Sequence, residues 1–162
     1  MEETNPSEAS CDSRLGQDLA ESTQRASLLI EALAERYLRH HFDLTYHQYV
    51  LLLVLSRTEP TDATSLAECL NISRAAVSKR LPALEKAGLV RVVQDPKNGR
   101  KLMLTTTPRA AQLVEQASPE LENELRNVLA RTRAGFDPVL MAQLMGAMVE
   151  ALEESLNDAQ CQ

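Results

Sequence analysis

The feature that most constrains this chain is a change of hydrophobic period at Gly88. Before it, apolar residues recur three and four apart, first Leu66, Ala67 and Leu70, then Val77, Leu81 and Leu84. That spacing puts each set on one side of a helix. After it, Leu89 to Val93 and Lys101 to Leu104 are β-branched or apolar runs, and the Asp95-Pro96-Lys97-Asn98-Gly99-Arg100 they bracket is turn chemistry. Asn71-Ile72 forms a tight turn between the helices. Ser73 suits the N-cap of the second helix, and either Asp62 or Thr64 suits that of the first. Gly88 can take the left-handed conformation that closes a helix. Helix, turn, helix and hairpin in this order predict a winged helix-turn-helix over residues 43–106, in a mainly α fold with a small β-hairpin wing.

Charge points to what such a unit does. Eight basic and two acidic residues between Asn71 and Lys101 leave that window at +6; the whole chain is at −6, so the remainder carries −12. An acidic chain whose basic charge is gathered on one unit has the electrostatic footprint of a nucleic-acid binder. With Val77, Leu81 and Leu84 inward, Arg74, Ser78 and Lys79 face outward near the helix N-terminus, the end that enters a major groove. Arg74 and Lys79 are the candidates for guanine edges; Ser73 and Ser78 suit phosphate contacts, and Arg80 adds a further charge. The expected partner is double-stranded DNA. The alternative is a winged-helix module that turns its basic face to a protein partner. Salt separates the two, because displaced counterions make duplex affinity fall steeply with salt.

The run Leu66-Ala67-Glu68-Cys69-Leu70-Asn71-Ile72-Ser73, the run from Val77 to Val90 and the turn Asp95 to Arg100 resemble the MarR (multiple antibiotic resistance regulator) family of bacterial transcription factors. Its wing pattern is Asp, any, Arg, Asp, any, Arg; Asp95 and Arg100 match, while Lys97 and Asn98 depart from it. The resemblance implies that Asp95 braces the wing, Lys97 enters the minor groove, and Arg100 contacts phosphate or helps to brace. The order of elements follows the family from about Leu15 to Leu156. Pro82 inside the recognition helix is a departure. Proline costs about 3 kcal/mol in an ordinary helix interior, so a bend is expected near Ser78.

The flanks read as helices. Residues 1–13 are polar, acidic and aperiodic, and are expected to be a disordered tail, as are residues 158–162. Leu15, Leu19, Ala26, Leu29, Ile30, Leu33, Tyr37 and Leu38 predict a long amphipathic helix to about His41. Thr45 and Gln48 form a capping-box pattern ahead of an apolar helix that reaches Arg57, and Thr58-Glu59-Pro60-Thr61 ends it. Thr107-Pro108 starts another long helix, with a kink or local break expected at Ser118-Pro119. Gly135-Phe136-Asp137-Pro138 is a stop and restart before a last helix to about Leu156. The helices over 14–42 and 107–157 carry more apolar face than the winged unit can cover, which predicts a homodimer, as the resemblance also implies. No apolar run is long enough to span a bilayer, and no basic-then-apolar leader is present, so a cytoplasmic chain without membrane contact is expected.

Two regulatory readings follow. The resemblance implies a pocket for a small aromatic effector between the dimerisation helices and the winged unit. Tyr37, His41, Tyr46 and Tyr49, with His40, Phe42 and His47, cluster at the corner that would line it or that simply packs the joint. The second reading is an oxidation switch. Cys11 and Cys161 stand in the terminal segments and Cys69 near the inward face of the short helix. A sulfenic acid on one thiol could be resolved by another. Beside His40, His41 and His47 only Asp43 could complete a metal site, so no metal and no cofactor are expected. Without a glycine-rich phosphate loop, a nucleophile in a strand-to-helix turn or a carboxylate pair in an aromatic cleft, the chain does not read as an enzyme.

Overall fold

The computed structural model describes residues 6–95, 98–131 and 137–160, with side chains at 16–95, 98, 101–131, 137 and 139–156. The elements in order are α1 (Pro6–Phe42), α2 (Tyr46–Thr58), α3 (Ala63–Cys69), α4 (Arg74–Lys86), β1 (Val90–Asp95), β2 (Asn98–Thr106), α5 (Pro108–Leu129) and α6 (Pro138–Gln160). α1 starts at Pro6, ahead of Leu15 and inside the tail expected to be disordered. Proline fits a first helical position because the N–H it lacks has no partner there. A polar helix leaves no apolar period, so periodicity misses it. α6 likewise runs to Gln160, past Leu156 and into the expected C-terminal tail.

Local chemistry sets the other boundaries. Asp43, at φ 53°, turns the chain after α1. At the start of α2 the Thr45 hydroxyl accepts from Gln48 N at 3.0 Å, and the Gln48 side chain accepts from Thr45 N at 2.9 Å, closing the predicted capping box. α3 is capped by Asp62, whose carboxylate accepts from the Thr64 and Ser65 N–H groups. Asn71, at φ 49°, makes the turn, and Ser73 Oγ caps α4 by accepting from Ala76 N at 3.2 Å. Gly88, at φ 68°, closes α4, with Leu89 N donating to Leu84 O at 2.9 Å in a Schellman pattern.

Both internal prolines are accommodated. α4 passes through Pro82 and α5 through Pro119 as single helices, so the local break considered at Ser118-Pro119 does not form. Tertiary contacts hold the second site. Ser118 Oγ donates to Val114 O at 2.7 Å, so the Tyr49 hydroxyl, 2.9 Å away, is the donor to Ser118.

The hairpin is longer than its apolar runs. β1 and β2 pair antiparallel from Val90↔Thr106 to Gln94↔Leu102, and a bridge between Thr61 and Leu104 adds the chain ahead of α3 to the far edge of β2. One core joins these parts. Leu38 of α1, Leu51, Leu52 and Leu55 of α2, Leu66, Val77, Leu84 and Leu104 are fully buried, and Ala110, Val114 and Ala117 of α5 join them.

By its contacts the chain divides after Leu121, inside α5. The reason is burial: Ala34 and Leu38 on one side and Ala110, Val114 and Ala117 on the other belong to the winged unit's core. In the second unit, Val139, Leu140, Leu144, Val149, Leu152 and Leu156 of α6 are exposed. Among the described residues no helix is long and apolar enough to cross a membrane. Leu66→Ala, which empties a fully buried site between the two helices of the turn motif, should destabilise the chain by about 2–5 kcal/mol in urea unfolding.

Candidate nucleic-acid interface

Burial orients α4. Val77 and Leu84 are fully buried and Leu81 half-buried, while Arg74, Ser78 and Lys79 are exposed. The exposed residues fall on different flanks. Arg74 and Ser78 border an open concavity of about 460 Å³ between α4, the start of α3 and β2, which Thr64, Ser65, Asn98 and Lys101 also line. Lys79 and the half-buried Arg80 border a second concavity, about 510 Å³, shared with Thr45, His47 and Gln48 at the start of α2. One flank of α4 therefore faces the wing and the other faces α2. The Ser73 hydroxyl keeps its proton available for donation while its oxygen caps the helix.

At the wing, Asp95 is half-buried at the end of β1, opposite Asn98. Lys97 and the side chain of Arg100 lie outside the described residues. Lys101 Nζ stands 2.7 Å from the Asp62 carboxylate. The Lys101 hydrogen bond, helped by the Ser65 and Thr64 N–H groups, lowers the Asp62 carboxyl from 3.8 to about 2, and Asp62 in turn raises Lys101. One of the eight basic residues counted in the sequence thus already has an acidic partner. Sequence reasoning named Asp62 as a cap and missed this pairing, because no local pattern joins a helix start to a strand.

The tyrosine and histidine corner joins α1 and α2 to α5. Tyr37 rests on His41 with ring centroids 4.3 Å apart and donates to Glu120 at 3.1 Å. Tyr49 is buried, bonded to Ser118. Tyr46 turns toward Val50, Leu70, Ile72 and Arg80 around a hollow of about 200 Å³, and burial raises its hydroxyl pKa. Tyr46 and Tyr49, three apart on α2, share a side of that helix and interact, while Tyr37 and His41 stack on each other on α1. The Tyr46 backbone N–H donates to Glu35 at 2.5 Å, which lowers the Glu35 carboxyl. Cys69 is an exposed free thiol; Cys161 and the side chain of Cys11 lie outside the described residues.

A short helix, a turn and an exposed basic helix beside a two-stranded hairpin define a winged helix-turn-helix protein. Residues 44–102 match the model of the MarR family. It is 32% identical over 108 residues, 67% of its own length, to an uncharacterized HTH-type transcriptional regulator of Bacillus cereus. It spans 66% of that relative's length, and 60% of a second Bacillus cereus relative. Two solved structures share the fold. A Staphylococcus aureus MarR in complex with salicylate and kanamycin has a TM-score of 0.74 at 23% identity, covering 89% of this chain and 94% of that one. A mutant E. coli MarR complexed with operator DNA has 0.70 at 19% identity, covering 82% and 93%.

The depressed Asp62 carboxyl has a consequence for acid stability. A lowered folded-state pKa contributes stability that is complete above the ordinary value of 3.8 and is lost as pH falls toward about 2. Circular dichroism across that window should show an acid-dependent loss of stability that is smaller in Asp62→Asn, which keeps an N-cap acceptor but does not titrate.

Proposed function

We propose that this chain is a transcriptional regulator, acting as a repressor, that binds a palindromic double-stranded DNA operator as a homodimer. The observation that carries the proposal is the exposed face of α4, where Arg74, Ser78 and Lys79 stand beside the hairpin in a window of +6 within a chain of −6. α4 enters the major groove N-terminus first. Arg74 and Lys79 read base edges, Ser73, Ser78 and Arg80 bind the backbone, and the wing with Asp95, Lys97 and Arg100 reaches the minor groove. The exposed apolar residues of α6, with Leu28 and Leu29 of α1, are covered by a second copy. Two α4 helices related by a two-fold axis then read half-sites about 10 base pairs apart. The operator-bound E. coli MarR supports this reading by its shared fold. The chain acts by binding and not by catalysis.

The test is fluorescence anisotropy on duplexes selected from a random pool. Two chains should bind each duplex. Arg74→Ala should cost about 1–3 kcal/mol and relax one base position, whereas Lys97→Ala should weaken all duplexes and flatten the log–log salt slope by about one. Salt-insensitive binding, or none, would favour the protein-partner module instead.

Release from DNA is assigned to a small aromatic effector at the α1–α2 corner, around Tyr37, His41, Tyr46 and Tyr49, or to oxidation of Cys11, Cys69 or Cys161. The salicylate found with the S. aureus MarR supports the first, and the exposed thiol of Cys69 the second. Mild hydroperoxide should abolish binding and reductant restore it if a thiol is the sensor, with a Cys→Ser variant insensitive. Binding that ignores oxidant but yields to a phenolic acid assigns release to the effector site.

A further inference from the structure

Strand β2 is held along both edges. On one, its ladder with β1 is regular from Thr106 to Leu102. On the other, the chain from Glu59 to Asp62 ties to it three times. The Glu59 carboxylate accepts from the Thr106 backbone and, at 2.8 Å, from its hydroxyl. Thr61 and Leu104 exchange N–H···O bonds of 3.3 and 2.7 Å, and Lys101 donates to Asp62 at 2.7 Å.

The third tie falls where the first edge gives out. Beyond Gln94↔Leu102 the register jumps to Asp95↔Asn98 and passes over residues 99–101. Lys101 therefore lies in the irregular, tip-ward part of β2, anchored from the opposite side. Asp62 Oδ1 accepts from Thr64 N and Ser65 N at 2.8 and 3.1 Å, and Oδ2 accepts from Lys101 at 2.7 Å and from the Ser65 hydroxyl at 3.5 Å. Its side chain is 16% exposed and that of Lys101 45%, so the pair is partly open to water.

We propose that Lys101 is a positioning residue and not a DNA contact: its ion pair with Asp62 pins the tip-ward half of the wing to the first turn of α3, setting the wing's approach relative to α4. The proposal rests on the DNA-binding reading above. For Lys101 to reach a phosphate it would have to leave a charge-assisted hydrogen bond and strand a carboxylate on the face the duplex approaches. Paired, it neutralises that carboxylate and orders the strand at once.

The test uses the full chain, its selected duplex, and the variants Asp62→Asn, Lys101→Ala, the double variant and Lys101→Arg. Asn retains the cap of α3, so the first variant removes the ion pair and leaves the helix start intact. Asp62→Asn and Lys101→Ala should each weaken binding about two- to fivefold, the scale of one such pair, without changing the salt slope. The double variant should bind no worse than either single one, and Lys101→Arg should bind as wild type. A slope reduced by about one in Lys101→Ala, with tighter binding by Asp62→Asn, would make Lys101 a phosphate contact and overturn the proposal. A readout without DNA decides the pinning itself. Amide exchange at Thr61 and Leu104 should quicken by a similar factor in both variants, and unchanged exchange refutes the tie. If the wild-type chain binds no duplex, the DNA-binding reading falls and takes the proposed role with it, whereas the exchange result still reports whether the wing is pinned.

Discussion

The outward face of α4 depends on the burial of its inward one. Val77 and Leu84 lie in one core with Leu66 of α3, Leu52 and Leu55 of α2 and Leu104 of β2. Each of these side chains is worth roughly 1.5–3 kcal/mol of transfer from water. Together they fix the rotation of α4 about its axis, and with it the direction of every polar residue it carries. Arg74 and Ser78 look toward the wing because Val77 looks into the core. The caps at Asp62 and Ser73 and the left-handed Gly88 set where each helix begins and ends, but burial decides which way it faces.

Charge is layered on that frame unevenly. The basic window sits on a scaffold whose remainder is strongly acidic, which keeps attraction for a polyanion local to α4 and the hairpin. Within the window the structure distinguishes two kinds of cation. Arg74 and Lys79 stand exposed on the two flanks of α4, while Lys101 lies against Asp62. A count of charges along the sequence treats them alike. The apolar surface is uneven too, open along α6, at Leu19 and Leu28 to Ile30 of α1, and at Val93 and Leu102 of the hairpin.

Much of the fold was legible in the residues. The helix-turn-helix followed from the spacing of Leu66, Leu70, Val77 and Leu84, the hairpin from β-branched runs about a Pro-Lys-Asn-Gly sequence, and the capping box of α2 from Thr45 and Gln48. What was misread had physical causes. The start of α1 lies in polar sequence that carries no period, and α5 continues through Pro119 where Ser118 and Tyr49 hold it from outside the helix.

By itself the sequence determined the order and type of the elements, their caps and turns, and the concentration of basic charge on one of them. All of these depend on neighbours within a few positions: backbone preference, side-chain oxygens that reach the next amide, and the period of apolar residues. The tertiary structure alone decided that Arg74 and Ser78 share a flank with the wing while Lys79 and Arg80 face α2, that Asp62 holds Lys101 and Glu59 holds Thr106, and that the first turns of α5 belong to the winged unit's core. Those outcomes depend on which distant segments meet once the apolar faces are buried together, and pairings across such distances leave no local pattern to read.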